Sequence, residues 1–389
     1  MAIKELVYAV KQQLESATQQ SFRHSHVYEL LAASFGFSTR ASLDATHVIA
    51  VAERAYQPSA ADLGALQSRL TELGYQQVAD SAGAVLLSVI ADHRLWVATV
   101  ESVIELLKLG RWAHPDGWPE VEDDVLELEA VGSALPELDL GNFAMLVDGL
   151  NAAAARNGAA AHYALALIYR GEDLSEEVGS AYWYSLMEQG RALEGIELEW
   201  AMAYKNGLRN AEREVLHLNE AARLGWSDAR LDIALERAQC AEERDDFEQA
   251  EHWYKEAADL GHVGAMRSLS WLAESVDDSE SAWHWNHQAA LCGDLDAMRS
   301  LIDEDDEKNL FQNWVWVYLA EQLGTDLRVS TLRAYHDGGM YAGQAYDDDQ
   351  GGPLYVDGDE GVHLEPLSAS DDVRARAEAR ELLNRIKHP

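Results

Sequence analysis

The sequence has little cysteine, proline or positive charge, and no long apolar run. Two cysteines, Cys240 and Cys292, are too few for a disulfide framework and point to a reduced compartment. Thirty basic residues stand against 68 acidic ones, a net charge of −38. The imbalance is uneven. Residues 1–110 carry 11 acids and 8 bases, while residues 111–389 carry 57 and 22. Phosphate binding that ignores sequence needs a basic face, so the acidic part is a poor candidate for nucleic acid or an anionic membrane. No stretch reaches the length of a membrane span. The opening "MAIKELVYAVKQQLESA" spaces its apolar residues as an amphipathic helix rather than a secretory signal, which leads us to expect a cytoplasmic protein.

What the sequence does have is a repeat. "WYKEAADLGHVGAMRSL" starts at Trp253, and "WNHQAALCGDLDAMRSL" follows from Trp285 with nine identical positions. Gly190, Gly225, Gly261, Gly293 and Gly324 are spaced by 35, 36, 32 and 31 residues. Eight residues before the last four stand His217, Trp253, Trp285 and Trp316. Alanines stand four residues before those glycines, and four residues after three of them. A fixed period of this size marks a stacked architecture in which each unit completes its neighbour's core. Each glycine suits the left-handed residue that ends a helix, and the small residue after it allows the next helix to approach. Trp253, Trp285 and Trp316 are expected in the core.

This pattern resembles the Sel1-like repeat family, relatives of tetratricopeptide repeats. "ALALIYRG" (164–171) and "AMAYKNG" (201–207) resemble the first half of that motif, and "QAEHWYKEAADLG" (249–261) the second. The resemblance covers about residues 151–330. It implies an all-α fold, an α-solenoid of helix hairpins, and a role in protein–protein binding. The last copies depart from the motif: "SLSWLAESVDD" lacks its Tyr-x-x-Gly, and "SLIDEDDEKN" substitutes an acidic loop.

Four regions are expected. Residues 1–110 form a mostly helical domain and 111–140 a Pro- and Gly-rich junction. Residues 141–335 form the repeats, and 336–389 an acidic loop with a capping helix from Ser370. In that helix Val373, Ala377, Leu382, Leu383 and Ile386 are the expected apolar face. Val85–Leu109 reads as one or two buried helices and "HVIAVA" (47–52) as a strand. "HVYELLAASFGFSTRASLDA" (26–45) reads either as a helix-turn-helix offering Arg40 or as a tight corner capped by Ser38. Asp347, Asp349 and Gly352 match the start of a calcium loop, but Gly358 stands where the bidentate Glu is required, so that motif fails.

No nucleotide loop, zinc motif or nucleophile elbow appears, so neither a cofactor, a metal nor an enzymatic role is expected. His24 and His26 would point apart on a helix. The aromatics say more. Trp283 and Trp314 sit ten residues before consecutive anchor glycines, in the slot that holds Val215 and Glu251 in earlier units. A slot that accepts Glu faces solvent. Trp283, Trp314, Glu251 and neighbouring His284 are therefore the candidate contacts for a basic or amphipathic protein segment. The alternative is that the C-terminal segment covers the two tryptophans. A second functional reading is an acidic decoy that mimics nucleic acid in the basic cleft of a toxin, nuclease or DNA-binding protein. The repeat type and composition suggest a bacterial source.

Overall fold

A computed structural model of the chain describes residues 3–52, 56–108, 143–170, 180–304, 309–347 and 351–388. The expected junction at 111–140 lies outside the described residues, as does Asp349. The fold is all-α apart from two small two-stranded sheets. No described helix is long and apolar enough to cross a membrane. The chain divides into two compact units, Met1–Arg230 and Leu231–Pro389, so the division falls inside the expected repeat region.

The first unit builds its core from α1 (Ile3–Thr18), α2 (His24–Ser34), α4 (Ala60–Glu72) and α5 (Ala79–Asp92). Leu6, Val10 and Leu14 line one face of α1 and are fully buried. Between α2 and α4 lie α3 (Arg40–Thr46) and β1 (His47–Val51). Thr39, not Ser38, caps α3, accepting from the Ser42 amide while the Ser42 hydroxyl accepts from Thr39 N–H. This reciprocal capping box satisfies two helix-end donors at once, which Ser38 cannot do from one residue further out.

The stretch 85–109 is not wholly helical. α5 ends at Asp92, Arg94 takes a left-handed φ of +48°, and β2 (Leu95–Thr99) pairs antiparallel with β1 before α6 (Val100–Lys108) begins. Pairing of "LWVAT" with "HVIAV" overrides local helix preference because tertiary context sets strand formation. α7 (Phe143–Ala154) then packs on β1, and Gly149 allows the approach: a Cβ there would come within 3.2 Å of Val48 Cγ1. α8 (Ala159–Arg170) packs on α6 and α7, which ties these expected repeat helices to the N-terminal core.

α9 (Ala181–Glu188) leads to α10 (Ile196–Arg223), one helix of 28 residues. The "AMAYKNG" segment, which resembles the first half of the repeat motif, does not close a helix: Tyr204 and Gly207 lie inside α10. No loop-forming residues follow Gly207, and "LRNAEREV" continues the helix, so the single glycine is carried through at modest cost.

In the second unit, from Phe247 onward, each helix packs on the next along the chain. α11 (Ser227–Glu242) crosses the division. It is followed by α12 (Phe247–Asp259), α13 (Val263–Ser275), α14 (Ser279–Leu291), α15 (Leu295–Glu304) and α16 (Leu310–Leu323). Two kinds of turn alternate. Gly261 and Gly293, with φ of +86° and +97°, close the turns after α12 and α14. Asp245 and Asp277, with φ of +56° and +59°, close those before them. In each case the following aspartate, Asp246 or Asp278, caps the next helix.

β3 (Arg333–His336) and β4 (Leu354–Asp357) form a hairpin, and α17 (Ala369–Lys387), capped by Ser368, packs on α16. The buried face of α17 is Ala375, Ala379 and Leu382; Val373 is exposed. The expected face was wrong at Val373 and Ala377, which are both exposed; Ala375 and Ala379 are the small residues that allow the close approach to α16. Gly358 has φ +99° and fits against the Thr331 carbonyl, where a Cβ would come within 2.5 Å.

Candidate partner-binding surface

Each of α12 and α14 presents an exposed position two residues before its half-buried tryptophan. On α12 it is Glu251, which accepts from Lys255 Nζ at 2.5 Å. On α14 it is Trp283, 51% exposed. One face of Trp283 stacks on His287 with ring centroids 4.9 Å apart, and His287 meets the edge of Trp316 at 5.7 Å. Burial, then the neighbouring His284, lowers the His287 pKa. His287 is therefore neutral at pH 7 and backs Trp283 as an apolar plate. His284 is exposed and meets Trp285 edge-on.

Trp314 does not join this surface. Its Nε1–H donates to the Glu365 carbonyl at 2.8 Å, its ring lies beside Tyr318, and the side chain is half-buried. The segment before α17 covers it. Arg376 stacks on Tyr318 at 3.9 Å and the Tyr318 hydroxyl bonds Asp372, which fastens α17 to the same helix. Of the four candidate contacts, Trp283, His284 and Glu251 are open and Trp314 is closed.

The expected core slot also splits. Trp316 is 2% exposed and His217 9%, but Trp253 and Trp285 are only half-buried. On α12 and α14 the next residue, Tyr254 or Asn286, occupies the interior, and Tyr254 donates to Glu242 at 2.8 Å. Trp253 lies at the edge of the core with the Arg237 guanidinium 4.5 Å above its ring. In the first unit, His217 shares a hydrogen bond with His162, Nδ1 to Nδ1 at 2.9 Å, and stacks on Tyr169.

The sequence reading missed Trp271, which is 56% exposed on α13. A usable signal existed. If "AMRSL" at 265–269 and 297–301 are aligned and extended by two residues, Trp271 stands opposite Asp303. A slot that accepts Asp faces solvent, by the same reasoning that exposed Trp283. A depression of about 400 Å³ beside Trp271 is lined by Gly264, Arg267 and Ser268.

The other candidates resolve into structure. Arg40 donates to Asp44 at 2.6 Å and lies over Tyr28, and α3 is only seven residues long, so it offers no recognition surface. His26 bonds the Tyr75 hydroxyl at 2.9 Å while His24 faces Tyr8. Among the described residues, no group of three or more His, Cys, Asp or Glu is placed to hold a metal ion. Both cysteines are free thiols.

No protein-family model matches this chain, and comparisons with curated proteins and with solved structures find no match.

Proposed function

We propose that this protein is a non-enzymatic interaction module, a helical-repeat adaptor of the Sel1-like type built as an α-solenoid. It binds a basic or amphipathic protein segment through its acidic, aromatic-bearing helices. Its setting is a reduced bacterial cytoplasm, in keeping with two free cysteines and the acidic composition. The observation that carries the reading is Trp283. It is a large indole, half exposed, held flat by a neutral imidazole, in a region where acids greatly outnumber bases. Rigid exposed tryptophans are typical interface anchors. An acidic field speeds encounter with a basic segment and makes the complex sensitive to salt.

The decoy reading has less support. A mimic of nucleic acid needs rows of unneutralised carboxylates, whereas these helices interleave acids with indoles and with paired cations such as Lys255 and Arg267.

The test is affinity capture by the full-length protein from its native host, with partners identified by mass spectrometry. A basic protein should be held when the Debye length is about 10 Å and released as salt shortens it to about 3 Å. Trp283→Ala should capture less of it. Capture that ignores both salt and Trp283 would sink the proposal.

A further inference from the structure

One seam runs along α10, and only half of it is covered. In the second half of the helix, Asn210, Glu214, Leu218 and Ala221 recur at three- and four-residue intervals and so share a face. α8 lies along that face. Asn210, Leu218 and Ala221 are buried, and Arg170 donates to Glu214 at 2.6 Å. Tyr163, near the start of α8, meets Trp226 just beyond the end of α10, with ring centroids 6.1 Å apart. The two helices therefore run antiparallel, and Arg170, the last residue of α8, lies level with Glu214.

The same spacing continues towards the start of α10 through Gly207, Ala203, Trp200 and Ile196. Here the face is open. Ile196 is 57% exposed and Trp200 38%. α9 packs through Tyr184 on Tyr204, which lies outside the seam. Two large apolar residues followed by two small ones make a helix-packing surface, because the small pair lets a neighbouring helix approach closely. α10 runs unbroken through Gly207, so the open half and the half held by α8 are one continuous track. A helix entering the open half continues the line of α8.

The rim sets the charge of that helix. Glu194, Glu197 and Glu199 crowd the start of α10, and none has an ion pair among the described residues. Glu197 and Glu199 flank the seam. They suit the positive end of the helix dipole. They also leave carboxylates free to meet lysines or arginines beside the apolar stripe of an incoming helix.

We infer that the seam from Ile196 to Gly207 receives a basic amphipathic helix of a partner protein. This rests on the adaptor reading. It gives the partner segment a form, and a seat in the first unit distinct from the one at Trp283.

The test uses the full-length chain labelled with 5-fluorotryptophan. The probe is a leucine–lysine peptide about 14 residues long, patterned as an amphipathic helix. A shuffled peptide of the same composition and a leucine–glutamate peptide of the same pattern are the controls. The Trp200 fluorine resonance, assigned by its loss in Trp200→Phe, should shift saturably with the leucine–lysine helix. Trp200→Ala should weaken binding about ten-fold and Ile196→Ser about five-fold. Replacing Glu197 and Glu199 together by Gln should weaken it and flatten its dependence on salt. The Trp200 carbonyl accepts from Ser180 N–H at 3.2 Å, a backbone bond that these variants keep. Their melting temperatures, measured alongside, should stay at the wild-type value. Either control peptide binding as tightly as the leucine–lysine helix would overturn the inference. Sedimentation showing a wild-type dimer that Trp200→Ala dissolves would overturn it in favour of a second copy. Binding lost in Trp283→Ala but unchanged in Trp200→Ala would overturn it while leaving the adaptor reading intact. No saturable binding of the leucine–lysine helix would overturn both.

Discussion

Trp314 donates its indole N–H to the Glu365 carbonyl at 2.8 Å, and this bond separates two tryptophans that the repeat register treats as equivalent. Trp283 has no such cover. Trp314→Phe should therefore cost about 1 kcal/mol, the usual net value of one hydrogen bond, and Trp314→Ala more. Trp283→Ala should shift stability by less than about 1 kcal/mol. Urea unfolding of the three variants checks this. Equal losses at both positions would show that the C-terminal segment does not cover Trp314 in solution.

The slot tryptophans should not respond equally either. Trp316→Ala removes a fully buried indole and should cost about 3–5 kcal/mol. Trp253→Ala removes a half-buried one and the seat of Arg237, and should cost about half as much. Unfolding midpoints rank the pair, and the reverse order would contradict the burial described.

Gly261 has φ +86° and nothing within 4 Å of where its Cβ would stand. The cost of Gly261→Ala is thus purely that of a left-handed backbone, about 1 kcal/mol. Gly261→Asn should cost less, because asparagine tolerates that region. Alanine and asparagine variants of equal stability would argue against the left-handed turn.

The His162–His217 pair makes the first unit sensitive to acid. Burial is the main cause lowering both pKa values, and His217 falls to about 4, helped by His162 and Arg213. Around His162, Glu220 opposes the shift and Arg223 supports it. An unfolded histidine titrates near its ordinary value of 6.5. Between these values the unfolded state binds more protons, so stability is full above about pH 6.5 and falls as pH drops towards 4. For His217, which is 9% exposed, the loss between pH 7 and pH 5 is on the order of 2 kcal/mol. Urea unfolding at the two pH values should show it, and His217→Phe should reduce the difference. A pH dependence identical in wild type and His217→Phe would place its origin elsewhere.

Much of the local structure was legible because it depends on neighbours in sequence. The glycine spacing marks turns because a left-handed backbone disfavours a Cβ at that position whatever surrounds it. Ser59 caps α4 through a reciprocal box with Asp62, three residues further on, again a bond between neighbours in sequence. The Asp-Asp turns at 245–246 and 277–278 carry a comparable signal, with the first residue left-handed and the second a cap, but aspartates in so acidic a chain do not stand out. Trp271 was hidden for a related reason. Its copy had lost the motif that drew attention to the others, although its partner in the repeat is Asp303.

What the sequence by itself determined is the helical class, the spacing of the glycine turns and the separation of a near-neutral N-terminal part from an acidic remainder. These follow from backbone preference, apolar spacing and charge, all local or additive quantities. Only the tertiary structure decided that "LWVAT" pairs as a strand with "HVIAV", that α10 runs unbroken through Gly207, and that α7 and α8 belong to the N-terminal unit. It also decided which tryptophans meet solvent. Trp283 and Trp314 occupy the same slot, yet one is open and the other lies under a segment about fifty residues further along the chain. Exposure depends on what comes to rest against a side chain, and no periodicity within the repeat records that.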